Sequence, residues 1–234
     1  METYPQIKIC GLTLPEEAAA TAQLGADAIG MVFYPPSPRH LSIVQAEQVA
    51  AALPDRVTRV GVFVNPEMDL LAEAIERCGL GIVQLHGNES PEWVAQISQR
   101  FDIQVIKTLF ATRPPCLADA GAYAVSAFLV EAGKGLLPGG NAETWDWGGA
   151  AGFIRHYATA LAGGLAPDNV LAAIAAALPD AVDASSGLES APGRKDLKKV
   201  ERFITAVRQS AAHFIGTGRR LRPVFALSDE PMTP

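Results

Sequence analysis

The chain has 234 residues, 49% of them hydrophobic, and a formal net charge of −6, which allows one substantial α/β core. Every apolar run is soon broken by charge, Gly or Pro, and the first ten residues lack a basic region followed by an apolar run, so we expect neither a membrane span nor a secretory signal. No basic stripe carries interleaved aromatics, which argues against nucleic acid as a partner, and three cysteines without a CxxC or His/Cys cluster favour a reducing, cytoplasmic location over a disulfide framework or a zinc site.

Taken in chain order, short β-like runs alternate with helical stretches from one end of the sequence to the other. This alternation is typical of a parallel sheet covered by helices. The eight predicted strands are residues 6–10, 27–33, 58–64, 81–86, 103–108, 127–131, 157–163 and 180–185.

Four positions between these runs carry signals for a helix amino terminus. Thr13 and Ser42 each begin a capping-box pattern, in which side chains satisfy the free amides of the first turn. Asn65 and Ser90 each stand directly before a proline, which suits a capping residue followed by the first helical position. We therefore predict a helix start at each of the four.

Eight strand-and-helix units in this length predict a single closed (β/α)8 barrel, a TIM barrel with a parallel sheet, over residues 1–212. An open doubly wound sheet is the alternative, and the absence of a GxGxxG pattern after the first strand weakens it. Residues 213–234 lose the periodicity, so we expect a short, irregular C-terminal extension that is mobile or lies across the surface.

Polar residues end several predicted strands, where barrels of this kind carry their chemistry. Lys8 and Cys10 share one face of the first strand because side chains alternate. An ammonium beside a thiol, close to a helix start, favours thiolate and suggests a reactive cysteine, although a lone cysteine is more often a small buried apolar residue. Arg39 lies in a proline-rich loop after the second strand, where its guanidinium could bind a carboxylate or form a surface ion pair.

Three further strands end in candidate groups. His86 ends the fourth strand, where it is either a structural residue or a ligand contact. Lys107 in the fifth strand could form a Schiff base inside the barrel, although a paired structural cation is more usual. Glu131 ends the sixth strand as a general acid or base, or as the partner of an inward lysine such as Lys8 or Lys107.

The last two strands are followed by loops rich in glycine and serine. Gly163 and Gly164 follow the seventh strand, and Ser185 and Ser186 follow the eighth. Because many such barrels bind phosphate in these two loops, we predict a phosphate site there. A third glycine-bearing loop, residues 138–147, follows the sixth strand and contains two tryptophans that we expect to pack rather than to stack on substrate.

Read together, these segments resemble the phosphoribosylanthranilate isomerase family. The resemblance covers roughly residues 7–208, and KICG, SPR, QLHG and DxSSGxE in this order make it specific. The matching segments are KICGLT, GADAIGMVFYPPSPRHLS, VGVFVN, VQLHGNE, PGGNAETWDW, LAGGLAPDNV and VDASSGLESAPGRKD.

The resemblance implies an Amadori rearrangement of N-(5-phosphoribosyl)anthranilate in tryptophan biosynthesis, with a small phosphoribosyl substrate and no metal or organic cofactor. It further implies that Cys10 is the general base, that Arg39 binds the anthranilate carboxylate and that His86 lines the pocket. Asp183 would face the anthranilate amine, and the glycines and serines of the last two loops would bind the phosphate. A monomer or a homodimer is expected.

The sequence departs from the family's pattern at two places. The family's general acid is usually an aspartate ending the sixth strand, whereas this chain has Glu131, one methylene longer. Ala142 and Glu143 stand where the family commonly has glycine and a basic residue, which weakens the case for phosphate contacts from that loop. The alternatives are another phosphosugar (β/α)8 enzyme, including an aldolase using Lys107, and a non-catalytic phosphoribosyl-binding relative.

Overall fold

The computed structural model of the chain describes residues 4–133, 144–215 and 217–225. Eight parallel strands form a closed barrel in sequence order, with the first strand paired to the eighth. The predicted TIM barrel is therefore confirmed over the open sheet. The barrel strands are β1 (Gln6–Cys10), β2 (Ala28–Val32), β3 (Thr58–Phe63), β4 (Ile82–Leu85), β5 (Gln104–Phe110), β6 (Ala127–Glu131), β7 (Thr159–Leu161) and β8 (Ala181–Ala184).

Helices cover the outside of the barrel, and a short antiparallel hairpin, β9 (Glu189–Ala191) and β10 (Arg194–Lys195), follows β8. The α-helices are α1 (Pro15–Leu24), α2 (Ile43–Ala51), α3 (Met68–Cys78), α4 (Pro91–Arg100), α5 (Ala151–His156), α6 (Val170–Ala177), α7 (Leu197–Gln209) and α8 (Ala211–Phe214). After β5 a 3-10 helix, Leu117–Ala122, takes the place of an α-helix. Within the described ranges, no helix combines the length and apolarity that crossing a bilayer requires.

Side-chain alternation in β1 follows the sequence-based expectation. Ile7 and Ile9 point outward and pack in the large core between the sheet and the helices. Cys10 belongs instead to the cluster inside the barrel, together with Leu129 of β6. Residues with the same parity as Cys10 and Leu129 on these strands therefore face the interior.

Two of the predicted helix caps are confirmed. Ser42 and Gln45 form a reciprocal capping box at the start of α2. The Ser90 hydroxyl accepts a hydrogen bond from the Trp93 amide at the start of α4, where the distance between the two atoms is 3.2 Å.

The other two predicted caps are wrong because their residues are used elsewhere. The Thr13 hydroxyl donates to the Gly193 carbonyl at 2.6 Å and so ties the loop before α1 to the β9–β10 hairpin. Asn65 has a positive φ of 46°, and its amide donates to the Glu89 carboxylate at 2.8 Å. The helix that follows begins only at Met68.

The C-terminal extension closes the amino-terminal end of the barrel. Val224 and Phe225 are 2% and 1% exposed and belong to the interior cluster. They pack there with small residues at the beginnings of strands, namely Ala28, Ala127 and Ala181. Barrel interiors are normally filled by bulky branched residues, so these alanines leave the space that the aromatic ring occupies.

Polar contacts hold this extension in place. The Gln6 side-chain oxygen accepts hydrogen bonds from the amides of Val224 and Phe225 at 2.7 and 3.0 Å. The buried Asp180 carboxylate pairs with Arg222 at 2.7 Å. The described part of the extension thus lies across the end of the barrel. The domain division at residue 212 remains a prediction, because residues 216 and 226–234 lie outside the described ranges.

Candidate active site

The predicted site residues gather at the carboxyl-terminal end of the barrel. Cys10 ends β1, Glu131 ends β6, and Asp183 lies in β8. Arg39 lies in the loop after β2, and His86 directly follows β4. All five side chains are buried, with residue exposures of 6–8%.

Cys10 turns its sulfur into the barrel. A Cβ atom placed on Gly30 of the neighbouring strand would lie 2.6 Å from Cys10 Sγ, so the glycine leaves the space that the sulfur uses. Burial raises the pKa of the Cys10 thiol, and the Lys8 and Lys195 charges lower it without cancelling that effect. The thiol form is therefore favoured at neutral pH, which corrects the expectation that Lys8 makes this a thiolate site.

Lys8 lies one turn of the alternation below Cys10 and is paired with Asp183. Its ammonium lies 3.0 Å from Asp183 Oδ1, and its side chain is fully buried. Burial lowers the pKa of Lys8, but Asp183 and Cys10 together raise it above its ordinary value. Lys8 is thus a permanently charged group beneath the thiol.

Arg39 is held by a carboxylate of the chain itself. Its Nε and Nη2 atoms each donate to one oxygen of Glu189 at 2.7 Å. Two of the five guanidinium N–H bonds are used in this way. Gly11, with a φ of +77°, allows the close approach, since a Cβ there would lie 2.4 Å from Arg39 Cδ. The predicted bidentate pairing exists, but its partner is Glu189.

A second cation shares the same carboxylate. Lys195, at the end of β10, places Nζ 2.8 Å from Glu189 Oε1 and 3.1 Å from the Ser185 carbonyl oxygen. The Ser185 hydroxyl in turn donates to the Cys10 carbonyl at 3.0 Å. Burial acts to raise the pKa of Glu189, but Arg39 and Lys195 outweigh it and lower that pKa.

His86 and Glu131 face each other across the barrel end. The distance from His86 Nε2 to Glu131 Oε1 is 3.3 Å, and both side chains are 9% exposed. The Gln84 side-chain amide contacts His86 Nδ1 at 2.9 Å, and the Phe110 ring lies beside the imidazole with centroids 5.8 Å apart. These contacts fix the orientation of the imidazole and hold the Glu131 carboxyl next to it.

Lys107 does not enter the barrel, which corrects the interpretation of an inward lysine. Its neighbour Ile106 belongs to the interior cluster, so Lys107 points outward. Its ammonium lies 2.8 Å from Glu89 Oε2 and 2.8 Å from the Gly87 carbonyl oxygen, and both charged side chains are fully buried. Burial lowers the pKa of Lys107, and Glu89 opposes this only in part.

The loop after β7 is built around two glycines and two indoles. Gly163 and Gly164 have positive φ values of 87° and 67°. The Trp145 indole nitrogen donates to the Ala162 carbonyl at 2.9 Å, and the Trp147 indole nitrogen donates to the Gly163 carbonyl at 3.1 Å. The tryptophans therefore hold the backbone of this loop. Residues 134–143, with Ala142 and Glu143, lie outside the described ranges.

The loop after β8 packs directly on the loop after β7. A Cβ on Gly187 would lie 2.1 Å from the Leu165 carbonyl oxygen. Ser186 begins a short 3-10 helix, Ser186–Leu188. Since the Ser185 hydroxyl proton is already donated to Cys10, Ser185 has its backbone amide, rather than that proton, to offer a phosphate.

Sequence reasoning missed Glu189, Lys195 and Glu89 as members of the site and its supports. Glu189 and Lys195 stand in the quoted segment VDASSGLESAPGRKD, where two charges flank a short glycine-bearing turn. That hairpin spacing was a usable signal. Among the described residues, no three His, Cys, Asp or Glu side chains come together as a metal site would require.

Comparison with known proteins agrees with this arrangement. A protein-family model described as N-(5'phosphoribosyl)anthranilate (PRA) isomerase matches residues 7–206. A relative from Desulfatibacillum aliphaticivorans, named N-(5'-phosphoribosyl)anthranilate isomerase, is 48% identical over 209 residues, which are 89% of this chain and 95% of that protein.

Solved structures share the fold. Monomers generated from the dimeric phosphoribosylanthranilate isomerase of Thermotoga maritima superpose with a TM-score of 0.77 at 35% identity, covering 88% of this chain and 99% of theirs. A phosphoribosyl anthranilate isomerase in complex with reduced 1-(o-carboxyphenylamino)-1-deoxyribulose 5-phosphate gives a TM-score of 0.76 at 36% identity, with the same coverage.

Proposed function

This chain belongs to the N-(5'-phosphoribosyl)anthranilate isomerase family of tryptophan biosynthesis, and from that premise we propose that Cys10 is its general base and Glu131 its general acid. The reaction is an isomerisation, so the proton removed by the base and the proton given by the acid must balance within one turnover. The observation that carries the assignment is a buried thiol flanked by two ammonium groups at the end of β1, at the same barrel end as a carboxyl held by His86.

In the proposed sequence, Glu131 donates a proton to the ribose ring oxygen, and the ring C–O bond breaks to leave an imine. The Cys10 thiolate then removes the proton from C2, and the electron pair of that C–H bond forms the enolamine. The enolamine becomes the amino-ketose when the C2 hydroxyl proton is lost and C1 gains a proton. Cys10 and Glu131 return to their starting protonation states with no net change.

The raised pKa of Cys10 bears directly on this role. A thiol with a high pKa is present as thiolate in only a small fraction at neutral pH, but that thiolate is a stronger base. Lys8 and Lys195 limit the cost of forming it in a buried position. The proposed base therefore works from a minor form that two buried cations keep accessible.

Substrate binding divides among three groups. Arg39 offers the N–H bonds that Glu189 does not use to the anthranilate carboxylate. Asp183, paired with Lys8, faces the anthranilate amine. The phosphate binds to the backbone of the loops at Gly163, Gly164, Ser185 and Ser186, because positive φ at the glycines and the 3-10 turn direct amides toward an anion.

The longer acid Glu131 is accommodated by its neighbour. Because His86 Nε2 lies 3.3 Å from Glu131 Oε1, the carboxyl is drawn to the β4 side of the barrel end. We propose that this contact takes up the extra methylene relative to aspartate. A misplacement of about 1 Å can cost roughly 100-fold in rate, so the contact matters for activity.

Paired substitutions test the two assignments. Cys10→Ala is expected to lower kcat by roughly 10²–10⁴-fold while substrate still binds, and Glu131→Gln is expected to do the same. Glu131→Asp should retain activity, and Arg39→Ala should mainly raise KM. Cys78→Ala is the matched control, because that thiol ends α3, far from the barrel strand that carries Cys10. Unchanged turnover in Cys10→Ala would remove the assigned base.

Rescue of a tryptophan auxotroph lacking this isomerase, repeated with Cys10→Ala, tests the activity in cells. Binding of a product analogue without turnover would favour the non-catalytic relative. A borohydride-trapped adduct on Lys107 would favour the aldolase, which the burial of that ammonium against Glu89 disfavours. A cytoplasmic location, the absence of a cofactor, and a monomeric or homodimeric state remain predictions, to be checked by fractionation, assay after dialysis against a chelator, and sedimentation.

A further inference from the structure

Three charged side chains form a buried cluster beside Cys10 that the proposed mechanism uses only in part. Arg39 and Glu189 are joined by two hydrogen bonds, and Lys195 adds a third to the same carboxylate. The Lys195 side chain is fully buried, and those of Arg39 and Glu189 are 7% and 6% exposed. The cluster has two cations and one anion.

A buried group of charges with one cation in excess is unfavourable unless an anion joins it. The adjacent Lys8 and Asp183 neutralise each other and do not supply one. Arg39 would meet the substrate carboxylate, but in the free enzyme that anion is absent. The Cys10 thiolate is the anion that the chain itself can form at this position, and it is held to the cluster through Ser185.

We propose that Lys195 is a positioning residue of the reaction, whose ammonium stabilises the Cys10 thiolate and holds Glu189, and through Glu189 the guanidinium of Arg39, in place. Two N–H bonds of the ammonium are donated to Glu189 and to the Ser185 carbonyl. Because Ser185 in turn holds the Cys10 backbone, one side chain links the base to the carboxylate-binding group. This inference rests on the proposed function for its kinetic part only.

The local environment supports a charge effect at Cys10. Among the described residues, the groups that act on its pKa after burial are Lys8 on the same strand, Asp183 on β8 and Lys195 on the hairpin. Burial lowers the pKa of Lys195, and both Glu189 and Cys10 oppose that shift. The thiolate and the ammonium therefore stabilise each other.

Alkylation of Cys10 by iodoacetamide in the free enzyme, followed over pH by mass spectrometry of the Cys10 peptide, tests the charge effect without substrate. Lys195→Met should slow alkylation roughly tenfold at a fixed mildly alkaline pH, because it raises the pKa of the thiol. Lys195→Arg, which keeps the charge, should restore most of the rate. Arg194→Met is the matched control, since its side chain is 58% exposed on the same hairpin.

Kinetics on the same variants test the positioning effect. Lys195→Met should lower kcat roughly tenfold and raise KM several-fold, and Arg194→Met should do neither. Lys195→Met leaves Arg39 and Glu189 as a neutral pair, so the variant is expected to fold. If it does not, Lys195→Gln, which keeps a hydrogen-bonding group without the charge, gives the same measurement.

Each outcome has one reading. Alkylation and kcat that are unchanged in Lys195→Met overturn the proposal, as does an equal slowing in Lys195→Met and Lys195→Arg, which would show that the charge is not the cause. A loss of thermal stability with a wild-type alkylation profile would reduce Lys195 to a structural role. If Cys10→Ala retained turnover, the proposed base would fall, but the alkylation comparison would still decide whether Lys195 acts on the thiol.

Discussion

Replacing Phe225 with alanine should destabilise the barrel without affecting catalysis. The ring is 1% exposed and fills the amino-terminal end of the interior, where the strands present alanines that cannot collapse around the gap. Truncation of a buried Phe costs about 3–5 kcal/mol. The extension can also detach locally, so the global loss cannot exceed the free energy with which residues 217–225 dock.

Urea denaturation followed by tryptophan fluorescence measures the loss, and hydrogen exchange shows whether residues 217–225 detach first. Ile215→Ala is the matched control, because this apolar side chain of the same extension is 78% exposed and its removal should change stability by less than about 0.5 kcal/mol. Because Phe225 lies at the end opposite to Cys10, kcat/KM of folded Phe225→Ala should stay within about twofold of wild type. A loss below about 1 kcal/mol, with unchanged hydrogen exchange, would refute the role of the ring as a filler of the barrel.

Three further predictions follow from the site and its supports. Lys107→Met leaves the Glu89 carboxylate buried without its cation and should cost about 3–5 kcal/mol in urea denaturation, and a loss near zero would show that backbone amides alone satisfy it. Gly11→Ala places a methyl group against the Arg39 side chain at a positive φ and should lower kcat/KM by roughly 10- to 100-fold, mainly through KM; wild-type kinetics would mean that the guanidinium tolerates displacement. Because burial raises the pKa of the Cys10 thiol, and a base must be deprotonated to act, kcat/KM should keep rising with pH above about 8.5, and a plateau already reached at pH 7 would contradict the proposed base.

Alternation within strands made the barrel and part of its site predictable. In β1 the apolar residues Ile7 and Ile9 share the outer face, which leaves Lys8 and Cys10 on the inner one, as observed. The same rule could not place Lys107, because its strand carries apolar residues on both faces. The parity was decided by pairing with β4 and β6, which the sequence of one strand does not contain.

Contacts between distant segments were not predictable. Thr13 has the sequence context of a helix cap, but its hydroxyl bonds to Gly193, which is 180 residues away. The alanines at the beginnings of β2, β6 and β8 are ordinary in a strand, and only the closed barrel shows that they leave space for Phe225. In both cases tertiary contacts outweighed a local pattern.

The pairing of buried charges has a consequence for the order of synthesis. Lys8 and Arg39 emerge early, and their anions Asp183 and Glu189 follow 175 and 150 residues later. A nascent chain that lacks its last quarter therefore cannot bury either cation at an acceptable cost, because an unpaired buried charge is strongly unfavourable. The final segment to leave the ribosome completes the reaction centre as it closes the sheet, so a truncated product of translation would be both open and inert.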